Sequence, residues 1–279
     1  MRQKPGKNDL YELLAEGSAE GSKPIAAALL QTLGDPRFDN LRGILLDELH
    51  LIPGGVVLEV GCGPGILLDR LYERVTEDGS IHGLDINPHF IEVAERRAQL
   101  LNITNSTYST GDCHELPYRN EMFDAVVAEK LLMHVAPLAP VLEEMKRVLV
   151  PGGRLAVTDY DPYTIMAAGP DPAVTARIMG SAARVYASPM ASRETAHICR
   201  EVGFEVESVR GYLQVFEDPN IPTVAGVPEV WSDHAAAGRQ VEPGTARRWL
   251  SMVQLAGREG RFMIAIPYVI TVAVKPMDG

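Results

Sequence analysis

Cysteine is scarce in this chain: Cys62, Cys113 and Cys199 are the only three in 279 residues. An odd number at wide spacings supports no disulfide framework and fits no zinc pattern, so a reduced, cytoplasmic setting is expected, with no metal. Basic residues are also short, 26 against 37 acidic, for a formal net charge of −11. Nucleic acid needs concentrated Lys and Arg, so the balance argues against such a partner. No apolar run reaches the length of about eighteen residues that a membrane span requires. The opening, MRQKPGKNDLYELL, has basic residues but no apolar core behind them, so no signal peptide is expected. What remains is ordinary globular material, 46% hydrophobic and 23% charged. It is long enough for one α/β domain with extensions and a sizeable core.

The chain is organised around VVLEVGCGPG, residues 56–65. Val56, Val57, Leu58 and Val60 form a short apolar run, as in a strand buried on both faces of a parallel sheet. Gly61, Gly63 and Gly65 follow, and then a helical run over 66–75. Glycine is needed where the backbone turns tightly and a ligand comes close without a Cβ between. The dinucleotide pattern Gly-x-Gly-x-x-Gly would place glycine at Ile66, and no Lys-Ser/Thr pair follows as in a P-loop.

Alternating strands and helices follow. Strands are expected at 80–84, 107–110, 123–128 and 154–158, and helices from Pro88 and around Val141–Leu149. That rhythm predicts a doubly wound, Rossmann-like α/β sheet, mostly parallel. Before it, helices are expected at 10–16 and 25–33, broken at 17–23, and a third around Leu41–Leu49. After Asp159 the rhythm breaks. Residues 160–190 read as an insertion with a polar loop and a helix over 173–186. Ser192 is a candidate N-cap for a helix over 193–202, with Gly203 its stop. Residues 204–216 read as a strand and 217–240, rich in Pro, Gly and Ala, as irregular. A helix near 245–257 and a last strand over 262–274 close the chain.

Ligands of open α/β sheets bind at the carboxyl ends of the strands. Asp85 ends the second strand about twenty residues past the glycines, where a carboxylate suits a ribose diol. Asp112 follows the third strand and could accept from an adenine amine. Glu129 follows the fourth, and Glu59 precedes the glycines. Three acids and a glycine turn converge with no basic cluster for a pyrophosphate. The expected ligand carries ribose, adenine and a cationic or amino group, without phosphates.

These motifs resemble those of class I S-adenosylmethionine-dependent methyltransferases. Glu59-Val60-Gly61-Cys62-Gly63-Pro64-Gly65 is similar to the first motif of that family, and Gly83-Leu84-Asp85-Ile86 to the second. Gly111-Asp112-Cys113-His114-Glu115-Leu116-Pro117 is similar to the adenine motif, with Cys113 in place of alanine. Phe123-Asp124-Ala125-Val126-Val127 and the Pro151-Gly152-Gly153 turn continue the match, which spans about 56–157. The quinone-biosynthesis C-methyltransferases and their small-molecule relatives are the most similar branch. The resemblance implies a seven-stranded sheet with an antiparallel last strand. It implies S-adenosylmethionine as cofactor, S-adenosylhomocysteine as product, and a cofactor site of Glu59, Gly61, Cys62, Gly63, Gly65, Asp85, Ile86, Asp112, Cys113 and Glu129. Tyr11 covers the donor or simply packs. Residues 1–50 would form a helical cap on a methyltransferase domain, 51–279, with the insertion helping to make a lid.

The implied reaction is methyl transfer to a small organic acceptor, on oxygen or carbon, natural-product or quinone-like. The protein aligns the reactants and excludes water. An oxygen acceptor also needs a base. His134 is the first candidate, with a structural histidine as the alternative; His114, Asp159, Tyr160 and Asp161 are others. Cys62 reads as a small filler rather than a nucleophile. Glu229, Trp231 and His234 are candidate acceptor-pocket residues. A protein of the same fold that keeps the cofactor as a structural element and catalyses a cyclisation remains the alternative, whereas a nicotinamide oxidoreductase is disfavoured by Ile66.

Overall fold

The computed structural model describes residues 19–33, 35–221 and 223–277. The expected helix over 10–16, and Tyr11 within it, lie outside the described residues.

Helices α1 (Ala19–Leu30) and α2 (Pro36–Asp47) precede β1 (Val56–Val60), α3 (Leu68–Val75), β2 (Ser80–Asp85), α4 (Pro88–Leu100) and β3 (Ser106–Thr110). Then come β4 (Phe123–Glu129), α5 (Leu138–Val148), β5 (Leu149–Tyr160), β6 (Met166–Ala167), α6 (Pro172–Ala182) and α7 (Ala191–Glu201). The chain continues through β7 (Glu205–Phe216), α8 (Val227–Ala237), α9 (Pro243–Arg258) and β8 (Ile264–Val274). The starts of α2 and α4 carry proline in the first turn, and the Asp35 and Asn87 carboxyl and amide oxygens accept from Arg37 N and His89 N.

The strands form one sheet in the order β3-β2-β1-β4-β5-β8-β6, with β7 on the other edge of β8. Neighbours from β3 to β5 run parallel, whereas β8 is antiparallel to β5, β6 and β7. The antiparallel last strand is as expected; the eighth strand is the two-residue β6, too short to show in a pattern of apolar residues. Alternate residues of the central strands feed two cores. Val57, Ala125, Val127 and Ala156 join Leu41, Leu45 and Leu46 of α2. Leu58, Val60, Val126 and Ala128 join Val141, Leu142 and Met145 of α5. Strand order reverses between β1 and β4, which opens a crevice at their carboxyl ends.

Five local expectations are corrected. The break at 17–23 is bridged, because α1 starts at Ala19 and its backbone runs on through Pro24. Pro151-Gly152-Gly153 lies within β5, where Gly152 takes φ 77° and its N–H donates to Lys275 O at 2.8 Å. The helix expected to reach residue 186 ends at Ala182 and tightens into a 3-10 turn, Ala183–Val185. Ser192 is not a cap: α7 starts one residue before it, and its hydroxyl is buried without a partner. The segment 217–240 is not irregular throughout, since it contains α8. Gly226, at φ 75°, and Pro228 sit at the start of α8, where they do no harm, and its alanines favour a helix.

Candidate active site

A cavity of about 560 Å³ lies over the β1–β4 crevice. That volume is in the range of small-molecule and cofactor sites. One end is built by the glycine turn and the end of β2. Gly61, Gly63 and Gly65 all take left-handed φ values, 71°, 53° and 76°. A Cβ on Gly61 would stand 2.8 Å from Leu131 Cδ1. Gly61 N and Cys62 N donate to Leu84 O at 2.7 and 3.0 Å, and Gly63 N donates to Asp85 Oδ2 at 2.9 Å. Asp85 Oδ1 accepts from Asn87 N at 2.9 Å. The acid at the end of β2 therefore also ties down the loop. Burial raises its pKa, partly offset by these backbone donors.

Of the candidate site residues, Glu59, Gly61, Cys62, Gly63, Asp85, Ile86, Cys113, Glu129 and His134 border the cavity. Gly65 does not: it packs on Ala94, which a Cβ would meet at 3.2 Å, and its carbonyl accepts from Arg97 Nε at 3.0 Å. Asp112 is not in the wall either. Its Oδ1 accepts from His114 N at 2.9 Å and stands 2.8 Å from His114 Nδ1. Burial raises the Asp112 pKa, but these contacts outweigh it and hold the carboxyl below its ordinary value. Glu59 is buried with no hydrogen bond to its carboxyl among the described residues, and burial together with Glu129 pushes its pKa well up. Cys62 is buried and its thiol pKa is raised by burial, which suits a filler better than a nucleophile.

The other end is walled by aromatic side chains. Tyr160 at the end of β5, Tyr186 after the 3-10 turn and Tyr268 on β8 pack edge to face, with ring centroids 5.9 and 5.8 Å from Tyr160. The Tyr160 and Tyr186 hydroxyls hydrogen-bond to one another. His134 stacks edge-on to Tyr186 at 5.3 Å. Burial and the nearby Lys130 cation lower its pKa to about 4, and its Nδ1 is buried without a partner. A histidine held neutral in this way is a weak base. Of the other candidate bases, Tyr160 lines the cavity, and burial and Tyr186 raise its pKa well above the ordinary value. Asp159 lies beneath, accepting from Leu132 N at 3.2 Å, and burial pushes its pKa to about 7. Asp161 is ion-paired to Arg193 Nε at 2.6 Å. Trp231 reaches the cavity from α8, whereas Glu229 accepts from Gln254 Nε2 at 2.8 Å and, like His234, does not line it.

Two cations to which sequence reasoning gave no role share the site. Arg42, on α2, is 1% exposed, and its Nε donates to both carboxylate oxygens of Glu129 at 3.2 and 3.0 Å. The other end of its guanidinium reaches Thr32 O and Oγ1. Lys130, directly after β4, also faces Glu129. Burial raises the Glu129 pKa, but Lys130 and Arg42 outweigh it and hold the carboxyl ionised. The sequence showed no basic cluster for a pyrophosphate, and these two cations face Glu129; Arg42 comes from a helix far away in the sequence, and only the fold brings it there.

An open sheet with a cavity over its switch point, a left-handed glycine turn and an acid after β2 define an α/β domain that holds a nucleoside-type cofactor. The chain belongs to the methyltransferase domain family, whose model matches residues 52–209. A 37.1 kDa protein of transposon TN4556 from Streptomyces fradiae is 29% identical over 233 residues, 83% of this chain and 66% of that protein. The demethylmenaquinone methyltransferase of Oceanobacillus iheyensis is 30% identical over 130 residues, 47% of this chain and 55% of its own. The 2-phytyl-1,4-naphtoquinone methyltransferase of Synechococcus elongatus is 33% identical over 143 residues, 46% of this chain and 61% of its own. The chain thus spans about two thirds or less of these relatives. Solved structures of similar fold include the [4+2]-cyclase SpnF, with a TM-score of 0.54 at 23% identity over 85% of this chain and 80% of that one. A SAM-dependent methyltransferase from Aquifex aeolicus gives 0.54 at 17% identity over 91% and 98%. S-adenosylmethionine is the cofactor of this class I family, and the cavity suits it. The untied Glu59 carboxyl can receive an ammonium, the Asp85 oxygens can accept further hydroxyls, and Ile86 and Cys113 offer apolar surface in the same wall. Among the described residues no helix is long and apolar enough to cross a membrane.

Proposed function

We propose that this chain methylates a small, flat, quinone-like or natural-product acceptor on oxygen or carbon, in the cytoplasm, with no nucleic-acid partner. One observation carries the reading: a single cavity is lined both by the acid-rimmed glycine turn and by the tyrosines, which supports a donor and an acceptor bound side by side. S-adenosylmethionine supplies an electrophilic methyl group on a sulfonium centre. Asp85 would hold the ribose diol and Glu59 the amino group; the Gly61–Gly65 backbone approaches closely because no Cβ intervenes. Ile86 and Cys113 would flank the adenine, with Asp112 near its amine. Glu129 stays ionised and offsets positive charge in the cavity. His134, neutral at pH 7, would accept a hydrogen bond from the acceptor or orient it. In-line displacement needs alignment and a dry site more than it needs a strong base.

The N-terminal helices α1 and α2, with α6 and α8, would close the roof. Leu29 and Phe38, Ala182, and Val227 with Trp231 already line the cavity from these parts. The test is transfer of labelled methyl from S-adenosylmethionine to a panel of hydroxylated naphthoquinones, with S-adenosylhomocysteine released in equal amount. Conversion of an acceptor with no label gained and no S-adenosylhomocysteine formed would point instead to a cyclisation with the cofactor bound but intact.

A further inference from the structure

Around Glu129 the structure collects more positive charge than one carboxylate meets. Arg42 Nε spans both oxygens of Glu129, so that pair is complete by itself. Lys130 is left with its ammonium 3.7 Å from one of the same oxygens and 5.2 Å above the ring of Phe38. It borders the cavity, only 19% exposed, from a backbone at φ 56°. Such a conformation is uncommon for a side chain with a Cβ and is a reason to look for function there. The other titratable groups that bear on it are Asp159 and His134. Asp159 is half-protonated near neutral pH and spends its Oδ2 on Leu132 N, and His134 is neutral. Burial depresses the Lys130 pKa, with Glu129 pulling it back up. The Tyr160 and Tyr186 hydroxyls keep their protons, and because they hydrogen-bond to one another, one O–H of the pair is left to donate. On the acceptor side, then, the wall offers a surplus cation and a phenolic O–H.

We infer that Lys130 is the residue that selects the acceptor, and that the acceptor binds with an ionised oxygen, a phenolate or enolate, beside its ammonium. This rests on the methyltransferase reading and adds the charge state of the substrate to it. The acceptor proton leaves to solvent before docking, so no base inside the cavity has to remove it. An anion there completes the ion pairing that Glu129, shared with Arg42, leaves partial. The carboxylate of the cofactor is the other anion within the same cavity. The Phe38 ring under the ammonium and the tyrosine wall favour the flat acceptor.

The experiment uses the full chain saturated with S-adenosylhomocysteine and two probes of one skeleton, 2-hydroxy- and 2-methoxy-1,4-naphthoquinone. The hydroxylated probe is expected to bind at least about tenfold more tightly, and its visible band to show the bound hydroxyl ionising about one pH unit below the free compound. Lys130→Met keeps the aliphatic stem and is expected to abolish both effects. Equal affinity for the two probes, or no binding of either, overturns the inference on the wild-type protein alone, whether or not the variant folds. A folded Lys130→Met that keeps the preference for the hydroxylated probe overturns it too. If Lys130→Met weakens S-adenosylhomocysteine tenfold while the probe preference survives, the ammonium serves the cofactor carboxylate and the inference fails. Wild-type protein that binds no S-adenosylhomocysteine at all would bring down the methyltransferase reading itself, and this inference with it.

Discussion

Asp85→Ala tests the double duty of one carboxylate. In the free protein Asp85 accepts from Gly63 N and Asn87 N, each at 2.9 Å. Hydrogen bonds to a charged acceptor contribute about 1.5–3 kcal/mol each. Asp85 stands in a cavity wall that water reaches, so part of the loss is made good, and a net cost of about 2–4 kcal/mol is expected. Asp85→Asn should cost less, because its amide oxygen still accepts from one of the two N–H groups. The assay is urea unfolding of each variant with and without S-adenosylhomocysteine. At about a hundred times its dissociation constant, the ligand should stabilise the wild type by about 2.7 kcal/mol. If the ribose contacts are lost and affinity falls a hundredfold, the same concentration should add only about 0.4 kcal/mol to Asp85→Ala. An unchanged urea midpoint without ligand would refute the loop-holding role. An unchanged increment on adding ligand would refute the ribose assignment.

Asp159 gives stability a pH dependence. Its folded-state pKa, about 7, stands above the ordinary carboxylate value, so its favourable contribution is complete below that ordinary value and is lost as pH rises through about 7. Asp159→Asn should therefore gain on the wild type between pH 5 and pH 8, by about 2–3 kcal/mol; parallel urea midpoints at both pH values would contradict this. Arg42→Leu breaks a buried ion pair and strands Thr32, and should cost about 3–5 kcal/mol in urea unfolding; a loss under about 1 kcal/mol would mean that Lys130 alone suffices for Glu129. His134 should titrate near pH 4 by NMR in the free protein, and a midpoint in the ordinary range, about 6.5, would mean that it is less buried than described.

The sheet was legible because its signals are local. Apolar runs such as 56–60 and 123–128, and the prolines that open α2, α4, α6 and α9, follow from backbone chemistry that neighbours alone decide. The acid at Asp85 was legible for the same reason: its distance from the glycines fixes it at a strand end. Arg42 was not, because a basic residue on an amphipathic helix reads as solvated until the fold shows it 1% exposed against Glu129. Helix α8 was hidden by Gly226 and Pro228, residues that break a helix in its middle and suit its start. The tyrosine wall draws on residues 160, 186 and 268, far apart in sequence: the antiparallel pairing of β8 with β5 sets Tyr160 opposite Tyr268, and Tyr186 comes just after the 3-10 turn that follows α6. Gly65 shows the converse: expected in the cofactor site from its motif, it packs on α4 and does not line the cavity.

The central claim is that the cavity over the glycine turn takes an S-adenosyl nucleoside. Calorimetric titration of the full chain with S-adenosylhomocysteine, and separately with NAD, tests it most directly. One site per chain for S-adenosylhomocysteine and no heat with NAD is the expected result. Saturable binding of NAD with none of S-adenosylhomocysteine would contradict it.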